Sequence, residues 1–353
     1  MKKRNIIAGG VMRAAVYYNI RDIRLKDIEK PVVSPGCALI RIKAVGICRS
    51  DVHYFLHGRI GCQIIKKPLV LGHEAAGLVV ETGKGVKNVK AGDRVALEPA
   101  IFCGKCIFCK TGRPNLCKQV KFFGTPPING TFLEYVVHPA EMLFKLPKNI
   151  GYEEGALIEP LTVGLYAVEL AKLKKNETIA ILGAGPIGLS ILKSAICKGV
   201  KHIYVTDYLN YRLNFAKKHK GVTVINAGTD PVGKILKLTK GRGVDVVFEA
   251  AGKAKAVKQT IEVAATGGRV VWAGIPDEDT VTIDCHEARR RELLIINVRR
   301  TKHQNENAIK ALASGKIKVK AMATHSFSLK DIKKAFNVVE HYKDGVIKAI
   351  IKI

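Results

Sequence analysis

The stretch "ETIAILGAGPIGLSILKSAICKG", residues 177–199, decides the fold. It opens as a continuous apolar strand, turns on glycines and continues with helical periodicity. "KHIYVTD" (201–207) follows as a second strand, and "VTVINA", "VDVVFEAAG", "RVVWAGI" and "LLIINV" repeat the apolar type, with helical stretches between most of them. Apolar strands alternating with helices predict an α/β unit built on a doubly wound parallel sheet.

Within that stretch Gly183, Gly185 and Gly188 form GxGxxG. The pattern is weak alone, but here it follows a strand and opens a helix, the context a dinucleotide requires. Gly183 permits the tight turn, Gly185 lets backbone approach a pyrophosphate, and Gly188 permits close helix–strand packing. Pro186 and Ile187 begin the helix, whose N-terminus attracts the anion. Asp207 ends the second strand, 19 residues after Gly188. A carboxylate there accepts from both ribose hydroxyls and repels a 2′-phosphate, which favours NAD over NADP. Arg212 nearby is either a phosphate-tolerant charge or a solvated one.

Upstream the pattern differs. "AAVYYNI", "CALIRIKAVGI", "HEAAGLVVETG", "GDRVALEPA" and "TFLEYVVHP" are short strands broken by glycines and prolines, so a mostly β domain of irregular barrel type is expected before about residue 155. The tail ends in the strand-like "GVIKAIIKI" and is expected to rejoin this domain. The predicted division is 1–158 completed by 299–353, with 159–298 as the nucleotide unit.

The 353 residues are 47% apolar, enough for two packed domains. No apolar run reaches the roughly 18 residues of a membrane helix. The basic start "MKKRNIIAGGVMR" reads as a short extension rather than a signal peptide, since Arg13 interrupts it. These features predict a cytoplasmic protein without a membrane partner. The net charge of +29 would suit anionic partners, but the lysines are spread along the chain and no nucleic-acid module is present.

Four of nine cysteines fall in "CGKCIFCKTGRPNLC": Cys103, Cys106, Cys109 and Cys117. Two-residue gaps turn neighbouring thiolates toward one centre, and the fourth closes a tetrahedron. Four protein ligands leave no open position, so this zinc would be structural. A second set is dispersed. "GICRSDVHYF" carries Cys48, "VLGHEAAG" carries His73 and Glu74, and "GALIEPLTVG" places Glu159 in an apolar run. A buried carboxylate is costly unless paired or metal-bound. Cys48, His73 and one carboxylate would leave a fourth position open, as in a catalytic zinc site.

Taken in order, "GICRSDVHYFLHGRIG", "PLVLGHEAAG", "GDRVALEP", the cysteine cluster, "EEGALIEPLTVG" and "GAGPIGL" resemble the zinc-containing medium-chain dehydrogenases, and among them the sorbitol (polyol) dehydrogenase group. The resemblance runs from about residue 13 to the end. It implies a GroES-like catalytic domain, a Rossmann domain, catalytic and structural zinc, NAD, and a homodimer or homotetramer. It implies Cys48 and His73 as zinc ligands, with Glu74 and Glu159 binding or adjoining the metal, and Cys103, Cys106, Cys109 and Cys117 as the lobe site. Ser50 matches the hydroxyl that contacts the substrate oxygen, and His53 the histidine that passes the proton toward solvent. Arg49 matches an arginine on the cofactor pyrophosphate.

The substrate side is less defined. "FFGTPPING" resembles an aromatic pocket segment, placing Phe122 or Phe123 at the site, and Tyr54 is a further candidate. Arg299 falls where polyol enzymes carry a substrate-contacting arginine, but Arg300 stands where an aromatic is usual. Arg299, Arg300 and Lys302 would suit a sugar acid through bidentate carboxylate contacts. The implied reaction is hydride transfer between a secondary alcohol of a polyol and NAD. The alternatives are a sugar-acid or L-threonine-type dehydrogenase, and, more remotely, a dinucleotide-binding protein without catalysis.

Overall fold

A computed structural model describes residues 10–353. The expected N-terminal extension lies mostly in the first nine residues, outside the described ones. The chain forms two compact units, one running to Glu159 and resumed at Val319–Ile353, the other Pro160–Lys318.

In the first unit, strands β1 (Val11–Asn19), β2 (Asp22–Glu29), β3 (Cys37–Gly46), β4 (Glu74–Thr82), β5 (Arg94–Leu97), β6 (Tyr135–Pro139) and β7 (Leu143–Lys145) are joined by loops, short turns and helices, the longest of them α1 (Arg49–His57). β1 and β2 pair antiparallel, and β1 also pairs with Leu69–Val70. β3 is the centre of the larger sheet. Its burial, nearly continuous along "CALIRIKAVG", reflects neighbours on both edges: β4 on one side, β6 and the C-terminal strand on the other. Opposite Glu74 in this register stands Gly46. A β-carbon there would lie 2.1 Å from a Glu74 carboxylate oxygen, so the glycine makes room for the acid.

The second unit holds β8 (Thr178–Leu182), α3 (Pro186–Cys197), β9 (His202–Asp207), α4 (Asn210–Lys217), β10 (Val222–Asn226), α5 (Pro231–Leu238), β11 (Val244–Glu249), α6 (Ala254–Val263), β12 (Ala264–Trp272), β13 (Leu294–Asn297) and α7 (Asn305–Ala313), preceded by α2 (Ile158–Leu170), inside which the unit boundary falls. All strand pairs are parallel, in the order β10-β9-β8-β11-β12-β13. The order reverses between β8 and β11, the topological switch point at which ligands bind in such sheets. β8 is buried along its length because helices cover both faces of a parallel sheet.

The return to the first unit comes at Val319, later than the expected 299. Residues 299–318 stay with the sheet unit for physical reasons. Thr301 is buried and donates to the Thr162 carbonyl at 3.3 Å, Gln304 bonds Glu169, and α7 buries Asn305, Ala308 and Leu312. The tail then supplies β14 (Ala323–Ser328), α8 (Ile332–Glu340) and β15 (Lys348–Lys352). β15 lies between β3 and β14, antiparallel to the first and parallel to the second. No helix among the described residues is long and apolar enough to cross a membrane.

Candidate active site

Cys48 caps the N-terminus of α1, one residue beyond the end of the β3 segment's apolar run. The buried Asp51, three residues on, accepts from the Cys48 N–H at 2.9 Å and from the Gly72 N–H at 3.0 Å. The same carboxylate stands 3.5 Å from His73 Nδ1. One acid therefore fixes both the thiol and the imidazole, as outer-shell carboxylates orient metal-ligating histidines. Gly72 takes φ +92°, and any side chain there would press on the Phe132 ring.

The ligand atoms of Cys48, His73 and Glu74 all lie within 4.8 Å of one another. A thiol, an imidazole and a carboxylate at that separation fit a zinc ion with an open fourth position. Glu159 lies outside this mutual set among the described residues. Both Glu74 oxygens accept from Lys348 Nζ, at 2.6 and 2.7 Å, and the same ammonium reaches the Ile47 carbonyl at 3.1 Å. The Lys348 and Glu74 side chains are 2% and 1% exposed.

The electrostatics of this pocket are anionic. Burial works against a charged His73, yet Asp51 and Cys48 raise its pKa well above the ordinary value. Burial likewise opposes a charged Lys348, and Glu74 and Cys48 overcome it. Desolvation pushes Glu159 up to about 7; His73 and Lys348 oppose the rise, while Glu74 and Glu98 add to it. Cations are favoured and a further anion is resisted, which is the field a divalent metal requires.

The other cysteines form a second cluster. Cys106 and Cys109 Sγ are 3.5 Å apart, Cys103 and Cys109 3.9 Å, and all four sulfurs including Cys117 lie within 4.8 Å. Tetrahedral zinc with bonds of about 2.3 Å demands sulfur–sulfur edges of about 3.8 Å. Backbone N–H groups of Lys105 and Cys106 pull the Cys103 thiol down to about 6, whereas desolvation and its sulfur neighbours push Cys109 up. Four such thiols ionise together only around a cation.

Ser50 and His53 are half-buried on α1, about one turn apart. The His53 ring lies 5.8 Å from that of His57. Arg49 is exposed, with its guanidinium over the Tyr342 ring. The two phenylalanine candidates separate: Phe122 is half-buried with its ring 5.4 Å from His73, whereas Phe123 is in the core, 4.5 Å from the His138 ring. The Phe123 side chain is part of the buried core of its unit. Tyr54 is also a buried core residue.

In the sheet unit, Gly183 takes φ +109°, and a β-carbon on Gly188 would fall 1.8 Å from the Gly183 carbonyl oxygen. Gly185 is the N-cap of α3, with Pro186 and Ile187 in its first turn. A side chain at Gly185 would fill the space in front of the helix N-terminus, where the nearest atom is Arg212 Nη1 at 3.6 Å. That opening and its N–H groups fit a pyrophosphate. Asp207 accepts from the Ala184 N–H at 2.8 Å and the Leu209 N–H at 2.9 Å, and Arg212 stands 3.7 Å away. Arg212 is mostly buried rather than solvated. Arg299 is exposed; Arg300 is half-buried with φ +55°.

Asp51 and Lys348 escaped the sequence reading. Asp51 had a local signal, an acid three residues after a helix N-cap. Lys348 had only a lysine interrupting the apolar "VIKAII".

The sequence matches the alcohol dehydrogenase GroES-like domain over residues 34–148 and the zinc-binding dehydrogenase domain over 186–314. It is 37% identical to a sorbitol dehydrogenase of Bacillus subtilis over 96% of this chain and 97% of that one. It is 40% identical to an L-idonate 5-dehydrogenase of Vitis vinifera over 92% and 90%. A solved Escherichia coli oxidoreductase of unknown specificity superposes with a TM-score of 0.92 at 36% identity, covering 97% of this chain and 99% of that chain. With the donor sets and the glycine loop in place, the chain belongs to the zinc-containing medium-chain alcohol dehydrogenases, in their polyol dehydrogenase group.

Proposed function

We propose that the protein oxidises a secondary alcohol of a neutral polyol, sorbitol- or xylitol-like, to the ketose, with NAD as hydride acceptor. The observation that carries this reading is the assembly of Cys48, His73 and Glu74 within 4.8 Å, anchored by Asp51 and Lys348, in a chain 37% identical to a sorbitol dehydrogenase. Zinc held by Cys48, His73 and a carboxylate would supply Lewis-acid polarisation of the substrate oxygen. Ser50 accepts the hydroxyl proton as its own passes on toward His53. NAD, when bound, would supply the hydride acceptor for the alcohol carbon; the Gly183–Gly188 turn and Asp207 would hold the dinucleotide and Arg49 would contact its pyrophosphate. Glu159, outside the three-residue cluster, would adjoin the metal, and Phe122 would form a wall beside His73. Cys103, Cys106, Cys109 and Cys117 would hold a second zinc that braces their lobe.

The L-idonate 5-dehydrogenase relative, at 40% identity, favours a second reading in which Arg299 and Arg300 engage a sugar-acid carboxylate. We also infer a cytoplasmic homo-oligomer, dimer or tetramer. All nine thiols are free, and the edge strand β13 exposes Leu294, which another chain would cover. The test is NADH appearance across sorbitol, xylitol, galactitol, threonine, a simple diol and two sugar acids, with NAD and NADP in parallel and a chelator control. Chelator-sensitive turnover of a neutral polyol with NAD is expected. Turnover of sugar acids alone would overturn the polyol reading in favour of the arginine pair.

A further inference from the structure

We propose that Tyr342 is a positioning residue for the dinucleotide: its ring holds the Arg49 guanidinium in the orientation that receives a diphosphate. This rests on the reading of Arg49 given above. The Arg49 guanidinium carbon lies 5.1 Å from the centre of the Tyr342 ring. Its Nη1 donates to the carbonyl of Glu340 at 3.4 Å, one of the carbonyls left without an intrahelical partner at the C-terminal end of α8. That helix end is itself fixed. Arg21 grips the Glu340 carboxylate through both terminal nitrogens, at 2.6 and 3.2 Å, and Lys343 bonds the Asn337 side chain at 3.0 Å.

The backbone supports a dedicated role. Tyr342 has φ +53° and ψ +34°, and Asp344 has φ +54°. An aromatic residue in the left-handed region is disfavoured and persists only where surrounding contacts hold it. Here the left-handed turn swings the ring back over the first residue of α1. An exposed arginine otherwise samples many rotamers, and each must be given up when an anion binds. Stacking removes that freedom beforehand. It uses the face of the guanidinium, so the in-plane N–H groups not committed to Glu340 stay available for bidentate contact with phosphate oxygens.

The test is equilibrium binding of NADH, of ADP-ribose and of adenosine to the zinc-loaded protein, with no alcohol present. The variants are Tyr342→Leu, Tyr342→Phe, Arg49→Ala and the Tyr342→Leu/Arg49→Ala double. An exposed cation–π contact predicts a rise of about 2- to 5-fold in the NADH and ADP-ribose dissociation constants for Tyr342→Leu, with Tyr342→Phe close to wild type. Adenosine, which lacks the diphosphate, binds all variants alike, and Tyr342→Leu adds nothing in the Arg49→Ala background. If Tyr342→Leu fails to fold, Tyr342→Asn, which tolerates the left-handed backbone, takes its place. Weakened NADH binding in Arg49→Ala with none in Tyr342→Leu would overturn the proposal. So would a Tyr342→Leu effect that extends to adenosine or persists without Arg49. Unchanged NADH binding in Arg49→Ala alone would instead remove the reading of Arg49, and the proposal with it.

Discussion

Replacing Lys348 by Met should open the metal-centre sheet selectively. The Lys348 and Glu74 side chains are almost wholly buried, and the ammonium is within 2.7 Å of both carboxylate oxygens. Removing one partner of such a pair leaves an uncompensated buried charge and costs about 3–5 kcal/mol. Against a total stability of about 5–15 kcal/mol that is a large fraction. The assay is amide hydrogen exchange of metal-stripped protein in β3, β4 and β15, where the loss should appear as about 100- to 5000-fold faster exchange. The single tryptophan, Trp272, lies on β12 of the other unit and serves as an internal reference. In the Glu74→Gln/Lys348→Met double variant neither partner is charged, and buried pairs replaced together are often neutral. The double should therefore exchange more slowly than the sum of the singles requires, with a coupling of at least about 2 kcal/mol. Exchange in Lys348→Met within about tenfold of wild type, or additive losses in the double, would refute the reasoning.

Three further outcomes are expected. His138 is buried, its Nε2 bonds the Glu98 carbonyl at 2.8 Å, and burial holds its pKa down to about 4 against an ordinary 6.5. The unfolded chain therefore binds the extra proton first; its contribution is intact above pH 6.5 and is lost as pH falls toward 4. That loss amounts to about 3 kcal/mol, and His138→Phe should remove the slope in urea unfolding across that range. Cys109→Ser should lose about one zinc per chain and leave the Cys48 centre metallated, as read by metal analysis and by protease cutting confined to the lobe. Asp207→Ala should weaken NAD binding by about 10- to 100-fold, the value of charge-assisted hydrogen bonds, without a parallel loss for NADP; equal losses for both would argue against its ribose role.

What the sequence disclosed was what is encoded locally. The β8–α3 turn is legible because a β-carbon on Gly188 would collide with the Gly183 carbonyl five residues back, and Gly183 itself takes a positive φ that favours glycine. The cysteine lobe is legible because its ligands span 103 to 117. The tail was legible as a strand, but not as the source of the Glu74 counter-ion, because that depends on how β15 lies against β3, and the two side chains are 274 positions apart in sequence. Phe122 and Phe123 could not be separated for the same reason. Adjacent residues on a strand face opposite ways, and only the pairing of Lys121–Phe122 with Ala100–Ile101 decides which ring meets His73.

The order of these contacts along the chain constrains how the centre comes together. Cys48, Asp51, His73 and Glu74 lie within 27 consecutive residues, and Asp51 already ties Cys48 to the Gly72–His73 turn. The ion pair of Glu74 does not come from that segment. Its cation arrives only with β15, after the whole of the second unit has intervened. A chain that has not yet docked β15 holds a buried carboxylate beside a thiol with no ammonium to offset them, and β3 has lost that strand from one edge. Both deficits favour solvent entry over a packed pocket. The donor set is thus written early in the sequence, and the ammonium that balances its buried carboxylate is written in the last residues.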